Sequence, residues 1–494
     1  MLLFYQVTYG VIMNLTFVGH QSWLISHKDT NILVDPVLGS KMGNSRYIKF
    51  DMYPPRDVDI NNMPLIDGVF ISHEHVDHFD IDTLSNLPKD IPIYISLLMP
   101  SCIKIALEQM GHKVIYHSFD EEIKIKNIKI KPFSAPYETI LWESRVTQYL
   151  ISDINDDKCN GFIAVDAIIS EEYIDNIGIE YHNPQWIIVA NNSQCTPKNA
   201  QGAYTNLLPL ESSRLGGKNY RGIKLLNSIL IDYIKGIPEE TKIIICGNGF
   251  INPRENYGPF LFSDNKALAE YANKLSINEN VYGPYPGEVI EILGDKFSLK
   301  EVEWIKLNKN KHQLLKDKLI QYMNAESVES SPFIPVLDEL SKIEEMNGLD
   351  IIEKELVEMA RSLAIDPLIG RLAISMNNYL NGNLNEYRIL IKFKDRNFGY
   401  IYSVSKCKFI KIDTTENYLS EYPFGIEIYI QDFIGLCLGK IQIWDLAGTS
   451  IRSWYLGDIY ENMIVFFYKY FGEQRRPDLA LMVYEAYISH ISKA

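Results

Sequence analysis

The chain has 494 residues, a net charge of −15, 46% hydrophobic residues and 22% charged residues. That length exceeds one ordinary core and implies two or three domains, and the composition excludes a disordered or collagen-like chain. The negative charge argues against a general affinity for nucleic acid or an anionic membrane. Six scattered cysteines without a CxxC pair exclude a disulfide framework and a zinc ribbon, and point to reduced thiols in the cytoplasm.

Taken in order, residues 14–38 read as strands, "LTFV", "GHQSWLIS" and "TNILVDPVLG", with Asp35-Pro36 marking a turn. "GVFIS" is a further strand and runs straight into "HEHVDH". "DIDTLSNLP" predicts a short helix, "IPIYIS" a strand, and "CIKIALEQMG" a helix closed by Gly111. "EIKIKNIKIKPFSA" reads as a hairpin turning at Asn127, followed by the strands "TQYLIS", "GFIAVD" and "PQWIIVAN". "YRGIKLLNSILIDYIKGIP" predicts a helix and "TKIIICGNGF" a strand. Strands, hairpins and helices alternate, which favours an α/β sandwich of mixed sheets over a purely parallel one. Three regions follow from this pattern: a domain at 13–305, a helical connector at 306–380 and a C-terminal α+β domain at 381–494. In the last, "FGIEIYIQDFIGLCLGKIQIWDL" predicts strand, helix and strand, and "DIYENMIVFFYKYFG" a closing helix. No run reaches transmembrane length.

Three of the ten histidines fall in "HEHVDH". In extended chain, residues i and i+2 point the same way, so His73 and His75 can approach one ion together. Where the chain turns, Asp77 and His78 can address a second. Imidazole suits zinc and iron; carboxylate suits iron, manganese or a bridging role. A solvated charged loop is the bland alternative, and its position after an apolar strand end argues against it.

"HEHVDH" fits the HxHxDH signature, and with "LTFVGHQSWLI" and "NILVDPVLG" residues 13–305 resemble the metallo-β-lactamase fold. The resemblance implies an αββα sandwich, two metal ions and a bridging acid after a strand such as "GFIAVD", which nominates Asp166; Asp77 and Asp166 are then the catalytic acids. Where the family carries its third histidine this chain reads "YETILWESR", so Glu138 or Glu143 is expected as the replacement. The family's last histidine is also missing, near "IIICGNGF". His20 resembles a position beside the family's metal site, and a turn role suits it equally.

Trading imidazole for carboxylate favours iron over zinc or manganese. "NGFINPRENYGPFLFSDNKALAEYANKL" and "VYGPYPGEVIEILGD" resemble the CMP-N-acetylneuraminate hydroxylase family, which implies a di-iron oxygenase. That family's Rieske cysteines are absent here, so an external reductase would be needed. The alternative is a hydrolase of lactones or phosphodiesters, in which metal-bound hydroxide attacks. Arg145, Arg214, Lys218 and Arg221 are the candidate anchors for a small anionic substrate. The C-terminal domain resembles sterol-carrier-like modules, which implies either an apolar pocket or a homodimer contact.

Overall fold

The computed structural model describes residues 12–136, 145–167, 169, 171–190, 206–208, 237, 240–247, 250–251, 264–275, 280–293, 296–324, 333–380, 389–446, 450–456 and 462–493. Two mixed sheets face each other. The first runs, edge to edge, Lys296–Glu301, Glu288–Leu293, Ile12–Gly19, Ser22–His27, Thr30–Val34, Gly68–Ile71, Ile93–Ser96 and Val114–His117. The second runs Ile123–Ile125, Ile128–Ser134, Thr147–Asp153, Asn160–Ile163, Trp186–Ala190, Lys242–Cys246 and Val281–Tyr282. Antiparallel hairpins form one half of each sheet and parallel pairings the other.

Sequence pattern explains the layering. Ile128–Ser134 alternates between buried and half-buried residues, the period-two signature of a strand with one face on the core. Gly68–Ile71 is buried throughout, as a central parallel strand covered on both sides must be. Phe17, Trp23, Val34 and Phe70 of the first sheet pack against Ile130, Tyr149, Ile163 and Trp186 of the second. Helices cover the outer faces. Ser101–Gln109 turns Cys102, Ile103, Ala106 and Leu107 inward and ends before Gly111 at φ +88°. Glu171–Tyr181 and Asn265–Leu275 cover the other side. This is the αββα sandwich expected from the sequence.

The C-terminal sheet runs Lys408–Asp413, Phe398–Ser403, Ile389–Phe393, Phe424–Ile428 and Ile451–Trp454, with the third and fourth strands parallel. Ile352, Leu356, Met359 and Leu363 of helix Lys342–Ile365 share this sheet's core, so the expected connector contributes to it. Two local readings differ from expectation. "KIQIWDL" alternates like a strand but forms a turn ending in the 3-10 helix Ile443–Leu446. There Asp445 accepts the Gln442 N–H (3.0 Å) and the Ser45 hydroxyl (2.5 Å), and these bonds take the place of strand pairing. The helix Met463–Phe471 is followed by another, Pro477–Ile491, which begins on its proline as the fixed proline φ favours.

The two parts interlock. Val37, Met42, Ile48, Phe50 and Met52 join the C-terminal core. Ala480, Tyr484 and Tyr487 of the last helix pack among Ile81, Leu84, Cys102 and Ile103. No helix among the described residues is long and apolar enough to cross a membrane.

Candidate metal centre

Chain turns at one edge of the sandwich deliver the polar residues. His20 lies in the turn after Ile12–Gly19, Asp35 after Thr30–Val34, His73 after Gly68–Ile71 and Asp166 after Asn160–Ile163. Three of these turns carry positive φ: His20 at +53°, Asp35 at +44° and Val165 at +55°. For a β-branched residue such as Val165 that conformation is strained, and such strain concentrates at functional sites. Gly19 makes the first turn tight: a Cβ there would meet Arg56 Nε at 2.5 Å. That arginine is buried and donates to the Val18 carbonyl at 2.5 Å and to the Val37 carbonyl.

The "HEHVDH" segment forms a compact turn in which His78 N–H and Phe79 N–H both reach the His75 carbonyl (2.9 and 2.8 Å). Asn44 closes it, donating to the Phe79 carbonyl (2.6 Å) and accepting from Ile81 N–H (2.9 Å). Among the described residues two groups of donor atoms result. His20, Asp77 and His78 form one; His73, His78 and Asp166 form the other. His78 Nε2 stands 3.1 Å from Asp166 Oδ2 and 3.6 Å from Asp77 Oδ2, and His73 Nε2 is 3.9 Å from Asp166 Oδ2. Two donors about 2.1 Å from a shared ion at tetrahedral angles lie about 3.4 Å apart, so these separations fit metal ligation.

Supporting residues aim the donors. Asp35 accepts from His78 Nδ1 (2.8 Å), Ser72 N–H (2.7 Å) and the Ser72 hydroxyl (2.7 Å), which turns His78 Nε2 toward the acids. Gln21 donates to Asp166 Oδ1 (2.8 Å) and accepts the Cys246 thiol (2.9 Å). His20 Nε2 lies 2.8 Å from Asp77 Oδ2. Carboxylate or carbonyl partners of this kind set the tautomer and direction of a ligating imidazole.

The electrostatics separate the histidines. Burial holds His73 well below its ordinary range, reinforced by His78, His75 and Arg145. Burial and Arg145 lower His75 to about 3. Both rings are therefore neutral, the state in which imidazole binds a metal. Burial opposes the charged form of His78, but Asp77, Asp166 and Asp35 outweigh it and raise its pKa. Burial likewise opposes the Asp77 carboxylate, and His78 and His20 outweigh it, holding it ionised.

The sequence candidates are distributed as follows. His73, His78, Asp77 and Asp166 converge. His75 is adjacent, its ring 4.5 Å from that of His73, and its Nε2 receives Arg145 Nη2 at 2.6 Å. Arg145 also forms an ion pair with the buried Glu74, so this candidate substrate anchor serves to hold the HxH turn. His20 is both a turn residue and the partner of Asp77. Glu138, Glu143, Arg214, Lys218 and Arg221 lie outside the described residues.

Sequence reasoning passed over Gln21, Asp35, Ser72 and Glu74 as supports, although Gln21 and Glu74 are immediate neighbours of singled-out histidines. It also passed over Trp444 and Glu473. The Trp444 ring lies 4.8 Å from that of His75. Glu473 is buried and raised to about 7, by burial first and then by the charge of Glu74. Separations of several hundred residues leave no local signal for either.

Residues 14–156 match the family model of a beta-lactamase superfamily domain. An uncharacterised protein of Mycobacterium tuberculosis is 33% identical over 69 residues, 14% of this chain. That match spans 18% of the relative's own length. Among solved structures, the isothiocyanate hydrolase from Delia radicum gut bacteria is 17% identical with a TM-score of 0.38, over 56% of this chain and 98% of that one. CmlA, a diiron β-hydroxylase from Streptomyces venezuelae, is 14% identical with a TM-score of 0.33, over 60% of this chain and 55% of that one. The family match thus rests on residues 14–156, and the two facing mixed sheets with the HxHxDH turn at their edge give the N-terminal part of the chain the metallo-β-lactamase fold.

Proposed function

We propose that the chain is a dinuclear metal-dependent oxygenase, with iron as the favoured metal, acting on a small anionic metabolite. One observation carries this reading: the placement of all ten histidines. His20, His73, His75 and His78 cluster at the centre. The other six are engaged elsewhere or exposed. His27 binds Asp153, His112 the Leu84 carbonyl and His312 Asp264, while His117 packs near Tyr149. His182 and His490 are exposed. The Cys246 thiol, at the end of its strand, donates to Gln21. Among the described residues the acids that join these histidines are Asp77 and Asp166, and by the sequence argument Glu138 or Glu143 is added to them. Oxygen-rich sites with few imidazoles suit iron and manganese more than zinc.

His73, His75, His78, Asp77 and Asp166 would hold the metals. Two iron ions, when bound, supply the redox capacity that use of dioxygen requires, with electrons from a separate reductase. The chain's own residues keep the ligand geometry fixed: Asp35 orients His78, His20 holds Asp77 and Gln21 holds Asp166. The hydrolase reading is supported by the His20–Asp77 pair, an ionised acid steadied by an imidazole and able to orient a water molecule.

Anaerobic reduction of iron-loaded protein with dithionite, then exposure to oxygen, separates the two. Mössbauer spectra that cycle between ferrous and ferric states with oxygen uptake support the oxygenase. Protein that binds zinc alone, ignores oxygen and cleaves a lactone or phosphodiester overturns it.

A further inference from the structure

The metal centre is not closed by the N-terminal sandwich alone. The turn ending in Ile443–Leu446, some 370 residues downstream of His75, brings Trp444 to within 4.8 Å of the His75 ring, with the two planes at 66°. Tyr468 stacks on the indole at 4.7 Å and 19°. Asp445, the next residue, ties the turn to Ser45 of the N-terminal part. Trp444 is therefore clamped in place. Its indole Nε1–H is buried and meets no acceptor among the described residues. A buried indole donor ordinarily finds a partner, and leaving one unmet costs free energy that native cores avoid. Here it stands beside a metal-site histidine, in a half-buried residue.

We propose that Trp444 is a substrate-contacting residue of the metal centre, its indole N–H donating to an oxygen of a small carboxylate and its ring walling the His75 side. The inference rests on the reading of a metal site, and is independent of whether the chemistry is oxygenation or hydrolysis. It assigns the C-terminal part a direct share in the active site. Arg145, which donates to His75 Nε2 and pairs with Glu74, lies on the same flank. The specificity then lies in a residue that the N-terminal sandwich, expressed alone, would lack.

Cobalt and benzoate test this without knowledge of the natural substrate. Full-length wild type, Trp444→Phe and Trp444→Ala are loaded with Co²⁺, and loading is followed by the visible absorption of the bound ion. Benzoate is then titrated, with its effect on that absorption giving Kd. Trp444→Phe keeps an aromatic wall and removes only the N–H; it should load cobalt like wild type and bind benzoate about tenfold to a hundredfold more weakly, the usual loss for a bond to a charged acceptor. Trp444→Ala should bind still more weakly. Equal benzoate affinity in all three proteins overturns the proposal, as does cobalt-loaded wild type that shows no benzoate response. Failure of wild type to take up cobalt instead removes the metal-site reading, and this inference with it.

Discussion

Replacement of Asp35 by Asn isolates the link between a buried hydrogen bond and metal affinity. Asp35 is 1% exposed and accepts three donors: His78 Nδ1, Ser72 N–H and the Ser72 hydroxyl. Removing the carboxylate with Ala would leave three buried donors unmet at about 1–3 kcal/mol each, a total comparable with the stability of a whole domain. Asn is the informative change, since it has the same shape and tolerates the positive φ of this turn. Its Oδ1 can still accept from Ser72 N–H. Its amide N–H₂ then faces His78 Nδ1, which must become the acceptor. The ring proton moves to Nε2, the atom aimed at Asp166 and Asp77, and that atom can no longer ligate. Loss of an orienting partner of a ligating histidine costs about 10–100-fold in metal affinity. Long-range ¹H–¹⁵N spectra of the imidazoles report the tautomer, and competition with a chromogenic chelator reports the affinity. A folded Asp35→Asn protein with wild-type affinity for both ions would refute the assignment of His78 Nε2 as a ligand atom.

Three further outcomes follow from the same geometry. Asp445 is buried and its pKa is pushed up to about 7 against an ordinary 3.8; the folded state binds the extra proton, so stability falls as pH rises from about 4 to about 7. Asp445→Asn should therefore melt above wild type at pH 8 and close to it at pH 4, and a gain of equal size at both values would contradict this. Arg145→Ala leaves Glu74 buried without its partner and should destabilise by about 3–5 kcal/mol, much of it recovered in the Arg145→Ala, Glu74→Gln double variant; additive denaturant midpoints would show the pair to be uncoupled. Asp166→Ala removes the acid that His73 and His78 both face, and should cut metal content measured by elemental analysis while His27→Gln, at a remote pair, leaves it unchanged.

Much of the sandwich was legible because its elements are local patterns. Alternation in "IKIKPFS" and the unbroken apolar run "GVFI" report which faces are covered, and the structure places both as expected. The histidine cluster was legible for the same reason: four donor side chains fall within six residues, and a single turn gathers them. "KIQIWDL" misled because alternation is necessary for a strand but not sufficient. The carboxylate of Asp445, answering Ser45 from the other end of the chain, decides that turn.

By itself, then, the sequence determined what can be encoded within a few residues: strand faces, the turn that presents His73, His75, Asp77 and His78, and a shortage of histidine elsewhere. Only the tertiary structure decided which residues steer those donors. Asp35 reads as a strand-ending turn residue until folding sets it against His78, and Gln21 acquires its role only when Asp166 and Cys246 arrive beside it. Trp444 carries no mark of the metal centre until the turn before it docks on Ser45 and sets its ring against His75. The physical reason is range. Backbone preference and side-chain periodicity act over a turn or a strand, whereas hydrogen-bond partners and ring contacts depend on which distant segments the packed core brings together.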